Sequence, residues 1–123
     1  MTETDDSKTF SFCEARRANG FLFCSGQIGL SADGTVPADP ETQFAAAFAS
    51  LKRVLEANGC SLEDVVDLTS FHVGYPANME AFMKVMGQAM PGVEKAWTAI
   101  GVAGLAYPGS LLEIKAIASA PQG

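Results

Sequence analysis

The sequence is poor in the side chains that build metal centres and disulfide frameworks. His72 is its only histidine, and the three cysteines, Cys13, Cys24 and Cys60, are far apart with no C-x-x-C spacing. An odd number of widely spaced cysteines argues against a disulfide framework and against a zinc site. We therefore expect no metal and no cofactor, a structural role for His72, and a buried, hydrophobe-like Cys24.

Long apolar runs and basic patches are also missing. No apolar segment approaches the roughly 20 residues of a membrane-spanning helix. The acidic, polar start Met1–Asp6 lacks the basic residues and apolar centre of a secretory signal, so we expect a cytoplasmic location and no membrane partner. Eight lysines and arginines against 14 aspartates and glutamates give a net charge of −6. Because nucleic-acid binders carry a basic stripe, we expect no nucleic-acid partner.

What the sequence does have is material for one well-packed domain. Hydrophobic residues make up 48% of its 123 residues and charged residues 18%, an ordinary globular composition. Residues 1–8 are polar and charged with nothing to bury. We therefore predict a disordered tail over residues 1–8 and a single domain over residues 9–123.

Apolar patterns and turn residues predict the element order β-β-α-β-α-β-β. Asn19-Gly20 favours a tight turn, which predicts a hairpin between Thr9–Arg17 and Phe21–Gln27. Asp39 and Pro40 are typical of a helix start, and Asn58-Gly59 of its end. The remaining predictions are strands at Val65–Val73, Trp97–Val102 and Leu111–Ala118, and a second helix capped by Asn78.

The element order predicts an α+β fold, a mixed sheet with both helices on one face. In the last strand, Leu112, Ile114, Ala116 and Ala118 form the expected core face. The opposite sheet face is too apolar for full contact with water, which predicts an oligomer.

The segment Phe21–Leu30, F-L-F-C-S-G-Q-I-G-L, runs from four apolar residues into a small polar tip. The apolar run suits a strand buried on both faces. Gly26 lets a ligand or backbone approach closely, while Ser25 and Gln27 bring hydrogen-bonding groups. Pattern alone indicates a strand end followed by a loop. However, the segment resembles one in the RidA/YjgF/RutC (L-PSP) family. Two later segments carry the same resemblance, namely L-K-R-V-L-E-A-N-G-C-S-L-E-D-V-V-D-L-T-S-F and L-L-E-I-K-A-I-A.

This resemblance implies a chorismate-mutase-like fold and a homotrimer whose sheets line a central barrel, with ligand clefts between subunits. It also implies chemistry, because the deaminase branch hydrolyses reactive imines or enamines. That branch holds the substrate carboxylate with an arginine and keeps a glutamate near the attacking water. Glu113 matches the glutamate and Ser25 the serine of S-G-Q. They are the candidate catalytic residues, Glu113 as general base and Ser25 holding the polar end of the substrate.

The arginine position departs from this pattern, because it falls on Trp97. Nothing nearby can make the planar two-point contact that an arginine makes with a carboxylate. The segment W-T-A-I-G-V instead resembles the YjgH-type branch. Trp97, Ala99 and Gly101 share one strand face by the period of two, and we predict that Trp97 lies in the cleft near Glu113. There it would favour a neutral, aromatic or apolar ligand, or simply fill the cleft. The candidate ligand-binding residues are Trp97, Thr98, Ala99, Phe12, Gly26 and Gln27.

Two functions remain open. One is a RidA-like hydrolase or deaminase with altered specificity, favoured by the retained Ser25 and Glu113. The other is a non-catalytic trimer that binds a small metabolite or a protein, favoured by the missing arginine. Glu113 would then be an interface carboxylate paired with Lys115 or with an arginine of a neighbouring chain. The acidic charge disfavours a ribonuclease or chaperone role.

Overall fold

The computed structural model describes residues 11–121, so the predicted tail over residues 1–8 lies outside the described residues. The elements occur in the predicted order β-β-α-β-α-β-β, with a 3₁₀ turn at Leu62–Asp64 between the first helix and the third strand. The strands are β1 Ala15–Ala18, β2 Phe21–Gln27, β3 Val65–Val73, β4 Ala96–Val102 and β5 Leu112–Ser119, and the helices are α1 Pro40–Ala57 and α2 Met79–Ala89.

The five strands form one mixed sheet in the order β1-β2-β5-β3-β4. The pair β3–β4 is parallel and the other neighbouring pairs are antiparallel. Helix α1 packs on β2 and β5, and Phe82 of α2 packs on His72 of β3, so both helices cover the same face. The predicted α+β class is therefore confirmed. No helix within residues 11–121 is both long and apolar enough to cross a membrane.

The first hairpin turns where predicted but starts later. Asn19 and Gly20 have φ of 52° and 82°, the left-handed pair that a two-residue hairpin turn needs. However, β1 begins at Ala15, so the predicted strand was wrong over residues 11–14. Regular pairing stops because β2 bulges just beyond Cys24, and residues 9–10 lie outside the described residues.

Helix α1 has the predicted ends. The Asp39 side chain accepts a hydrogen bond from the Thr42 backbone N–H at 2.9 Å, and Pro40 is the first helical residue. The helix ends before Asn58, and Gly59 follows with φ of 78°. Its apolar face, spaced at three and four residues, is buried, namely Phe44, Phe48, Leu51 and Leu55.

Helix α2 begins without the predicted side-chain cap. Asn78 occupies the cap position, but its φ is 67° and its side chain makes no capping hydrogen bond. Its backbone carbonyl accepts from the Phe82 N–H at 2.9 Å, which begins the helix. The left-handed backbone of Asn78 departs from the extended geometry in which a cap side chain reaches the first turn.

The sheet face away from the helices, called the open face below, is exposed in this chain. Leu22 and Cys24 of β2 face the core, whereas Phe21 and Phe23 are 42% and 45% exposed. The prediction that this segment is buried on both faces was therefore wrong for the single chain, because the helices cover one face only. The predicted core face of β5 is confirmed, since Leu112, Ile114, Ala116 and Ala118 are all buried.

Candidate functional site

A β-bulge in β2 shapes the candidate site. Ser25 and Gly26 together stand opposite the single β5 residue Lys115, because the register shifts between Cys24 and Gln27. A bulge leaves one residue outside the regular ladder and bends the strand. The backbone of β2 is therefore irregular where the S-G-Q motif meets β5.

Glu113 lies directly over Gly26. A Cβ atom placed on Gly26 would stand 2.0 Å from Glu113 Oε2 and 2.6 Å from its Cδ. Gly26 is not among the residues with positive φ, so the position needs a glycine for space rather than for backbone conformation. Glu113 is half-buried and takes part in neither of the two ion pairs formed among residues 11–121.

Ser25 holds the chain segment before β1. Its hydroxyl donates to the Cys13 carbonyl at 2.7 Å, and its backbone N–H donates to the Glu14 carbonyl at 2.8 Å. The Glu14 carboxylate in turn pairs with Arg53 of α1 at 3.0 Å. These contacts place Phe12, which is 54% exposed, at the wall of the site. The hydroxyl hydrogen is thus engaged within the chain. This restricts the predicted role of Ser25, because toward a substrate the oxygen can only accept a hydrogen bond.

These residues line one groove of about 570 Å³ on the open face. The groove brings together four of the predicted site residues, Phe12, Ser25, Gly26 and Glu113. Its large apolar side chains are Phe12, Phe23, Phe71 and Ile117. Two cations, Arg16 and Lys115, also line it and were missed as site residues. Period-two alternation alone could have identified Lys115, which lies two residues after Glu113 on the same face.

Gln27 faces the core rather than the groove, so its assignment to ligand binding was wrong. Only 8% of the residue is exposed. Its Oε1 accepts from Ser50 Oγ of α1 at 2.6 Å, and its Nε2 donates to the Ser25 carbonyl at 3.2 Å. The side chain turns inward because the bulge restores the alternation of β2 at this residue. Gln27 therefore anchors the bulge to the helix.

The predicted placement of Trp97 near Glu113 was also wrong. Trp97 stands in register with Leu68, a fully buried core residue of β3. Its indole Nε1 donates to Ser70 Oγ at 2.9 Å, and its ring centroid lies 5.7 Å from that of Phe82 in α2. The face that Trp97 shares with Ala99 is the face covered by the helices.

Ala99 and Thr98 fall on opposite faces of β4. Ala99 is in register with the buried Ser70 and so lies on the helix-covered face, contrary to its predicted place in the cleft. Thr98 is in register with Thr69, whose partner on the other side is Lys115. Thr98 therefore lies on the open face, but it does not line the groove.

His72 belongs to a buried polar cluster beneath α2. It is 2% exposed, its Nε2 lies 2.7 Å from Ser70 Oγ, and its ring stands edge-on to Phe82 at 4.8 Å. Burial lowers the pKa of His72, because an imidazolium would lose its hydration there. Ser70 thus links the ring nitrogens of Trp97 and His72 on the face away from the groove.

Cys24 is buried, as the sequence predicts. Cys24 and Cys60 are buried and Cys13 is exposed, all three as free thiols. Burial, and secondarily the nearby Cys60, raises the pKa of Cys24 to about 11, so its thiol stays protonated. Among residues 11–121 there is no group of three or more histidine, cysteine or carboxylate side chains that could hold a metal ion.

Comparison with known proteins identifies the family. Residues 5–120 match the sequence profile described as Endoribonuclease L-PSP. The chain belongs to this family. The RutC family protein YjgH of Escherichia coli is 38% identical over 112 residues, which are 90% of this chain and 84% of that protein. This result confirms the predicted RidA/YjgF/RutC membership and the likeness to YjgH.

Two further comparisons extend over most of the chain. The solved structure of YjgH superposes with a TM-score of 0.81 at 35% identity, covering 99% of this chain and 93% of that one. The mitochondrial protein mmf2 of Schizosaccharomyces pombe is 28% identical over 109 residues, 86% of this chain and 85% of that protein. The likeness thus extends over the whole domain.

Proposed function

We propose that this L-PSP family member hydrolyses an imine, an enamine or a related small metabolite in the groove, with Glu113 as general base. The observation that carries the proposal is the Glu113 carboxylate, seated over Gly26 in a groove with apolar walls. A carboxylate in such a setting can take a proton from the water that attacks the imine carbon. The nitrogen then leaves as ammonia or an amine and a carbonyl compound remains, so water is the only co-reactant.

We propose further that the chain works as a homotrimer. The support is the apolar open face, where Phe23 is 45% and Ile100 40% exposed, together with Phe21 at 42%. Monomeric soluble proteins rarely expose a contiguous apolar patch of this kind. A neighbouring copy laid on this face would cover the aromatic side chains and enclose the groove, giving Glu113 a drier environment.

The test of the hydrolase is ammonia release from freshly generated imines, measured above the uncatalysed rate. We expect 2-iminopropanoate to be a poor substrate, because its methyl group is too small to fill the apolar groove. The imine of phenylalanine should be hydrolysed faster, since its ring matches the apolar walls. Glu113→Gln should lower the rate by about a hundredfold or more, whereas Glu56→Gln on the exposed side of α1 should not. Full activity in Glu113→Gln, or no turnover of any imine, would contradict the proposal.

A second candidate is a trimer that binds a small metabolite without converting it. Two observations favour it: the half-buried Trp97 lies on the helix-covered face rather than in the groove, and the Ser25 hydroxyl hydrogen is donated to the Cys13 carbonyl. A metabolite screen separates the candidates. Binding without turnover, unchanged in Glu113→Gln, would establish the second function in place of the first.

The proposed partners are a small molecule and further copies of this chain. The net charge of −6 gives no support for RNA as a ligand, so we do not carry the ribonuclease activity in the family description over to this chain. The proposed location remains the cytoplasm, although one relative is mitochondrial.

A further inference from the structure

Arg16 of β1 and Lys115 of β5 both line the groove, on strands that flank β2. Arg16 is in register with Phe23, which is in register with Ile117, and Lys115 lies two residues before Ile117 on the same face. Ordinary strand spacing and rise put their Cα atoms roughly 12 Å apart. Both side chains are long enough for their charged ends to meet above Phe23.

The groove has a local charge opposite to that of the protein. It contains Arg16, Lys115 and one carboxylate, Glu113, in a chain whose net charge is −6. Neither cation takes part in the two ion pairs formed among residues 11–121. Two cations beside apolar walls form an environment that attracts an anion attached to an apolar body.

We propose that Arg16 and Lys115 bind the anionic head of the groove's ligand, while its apolar body packs among Phe12, Phe23 and Phe71. The ligand class is therefore an organic carboxylate that carries an aromatic or bulky apolar group. Arg16 suits the head because its planar guanidinium can contact both carboxylate oxygens. An anionic ligand replaces the neutral ligand expected from the sequence, because that expectation placed Trp97 in the groove.

The arrangement also orients the ligand relative to Glu113. Along β5 the open-face residues follow in the order Glu113, Lys115, Ile117. An anion held by Lys115 and Arg16 lies toward the Ile117 end, so the remainder of the ligand can extend to Glu113. The negative head is thereby kept apart from the carboxylate. This inference rests on the proposed function only in placing the ligand in the groove.

Binding can be tested without turnover, using 3-phenylpropanoate, its neutral amide 3-phenylpropanamide, and acetate. In calorimetric or NMR titrations the carboxylate should bind about tenfold or more tightly than the amide, since it makes charge-assisted hydrogen bonds. Acetate, which has no apolar body, should bind more weakly than 3-phenylpropanoate. Arg16→Gln and Lys115→Gln should each reduce the carboxylate's advantage over the amide severalfold. Lys52→Gln is the matched control, because Lys52 is an exposed lysine of α1 outside this groove. This variant should leave the preference for the carboxylate unchanged.

Several results would overturn this assignment. Equal affinities for the carboxylate and the amide, or no binding of 3-phenylpropanoate at millimolar concentration, would remove the anion site. An unchanged preference in both charge variants would do the same. If Arg16→Gln dissociates the assembly in light scattering and abolishes binding of both aromatic probes, Arg16 belongs to a subunit interface instead. If no imine is hydrolysed but the protein still binds the carboxylate more tightly than the amide, the proposed hydrolase function is contradicted and the proposed anion site is not.

Discussion

Gly26→Ala tests whether Glu113 depends on the space above the bulge. The new Cβ would stand 2.0 Å from Glu113 Oε2. Ordinary contacts between such atoms are about 3.5 Å, so the carboxylate must move by about 1.5 Å. A displacement of this size can cost about a hundredfold in rate. The stability loss should stay near 1 kcal/mol, because the obstructing atoms are the end of a flexible side chain.

A double-mutant cycle measures this coupling without any substrate. In denaturant unfolding, Gly26→Ala should destabilise the wild-type chain but have little effect in a Glu113→Ala background, where the obstructing carboxylate is gone. Gly104→Ala is the matched control, since its Cβ would meet no atom within 4 Å and its φ is not positive. If Gly26→Ala lowers the free energy of unfolding equally in the wild-type and Glu113→Ala chains, the alanine disturbs the β2 backbone rather than Glu113. Unchanged hydrolysis by Gly26→Ala would refute the placement of Glu113 as the base.

The remaining predictions concern assembly, stability and RNA. Light scattering at micromolar concentration should give a homotrimer that Phe23→Asp dissociates, and a monomeric wild type would contradict the proposed assembly. Because the pKa of His72 is lowered in the folded protein, its contribution to the free energy of unfolding is complete above about pH 6.5 and is lost as the pH falls through the folded-state pKa. His72→Gln should therefore flatten that part of the plot of unfolding free energy against pH. Trp97→Phe removes the hydrogen bond to Ser70 and should cost about 1 to 2 kcal/mol on unfolding, with the trimer intact. Binding of single-stranded RNA should be negligible at physiological salt, and tight, salt-sensitive binding would contradict this.

Local signals in the sequence predicted most of the fold. Asp39, Pro40 and Gly59 define α1 because capping and backbone preferences act within a few residues. Asn19-Gly20 likewise specifies its turn through its own φ angles. Asn78 is the exception, because it adopts the left-handed conformation, with φ of 67°, and its side chain makes no capping hydrogen bond.

The error at Trp97 shows what strand periodicity leaves open. The period of two correctly grouped Trp97 with Ala99, but it does not say which group faces the helices. That choice depends on register with β3, where Leu68 and Ser70 are fully buried. An apolar residue with one N–H donor fits beside the Ser70 hydroxyl, so burial of Trp97 leaves its donor satisfied. The alignment of Trp97 with a family position that contacts a ligand gives no information about which face of β4 its side chain occupies.

The cations of the groove were missed for a related reason. Arg16 is nearly a hundred positions from Glu113 in the sequence, and the two line the same groove only because β1 pairs with β2 and β2 with β5. Arg16 becomes a site residue through its register with Phe23, which needs both the hairpin turn and the β2–β5 pairing. Such non-local pairings are not encoded in any short segment.

The S-G-Q motif divides three structural tasks among neighbouring residues. Ser25 ties the segment before β1 to β2, Gly26 leaves room for Glu113, and Gln27 fastens the bulge to Ser50 of α1. The motif's two side chains, those of Ser25 and Gln27, therefore hold the chain in place rather than a ligand. The motif builds the site by fixing the shape of β2, and the charged groups available to a ligand come from β1 and β5. Residues such as Arg16 and Lys115 can then vary the specificity of the groove while the bulge and Glu113 stay in place.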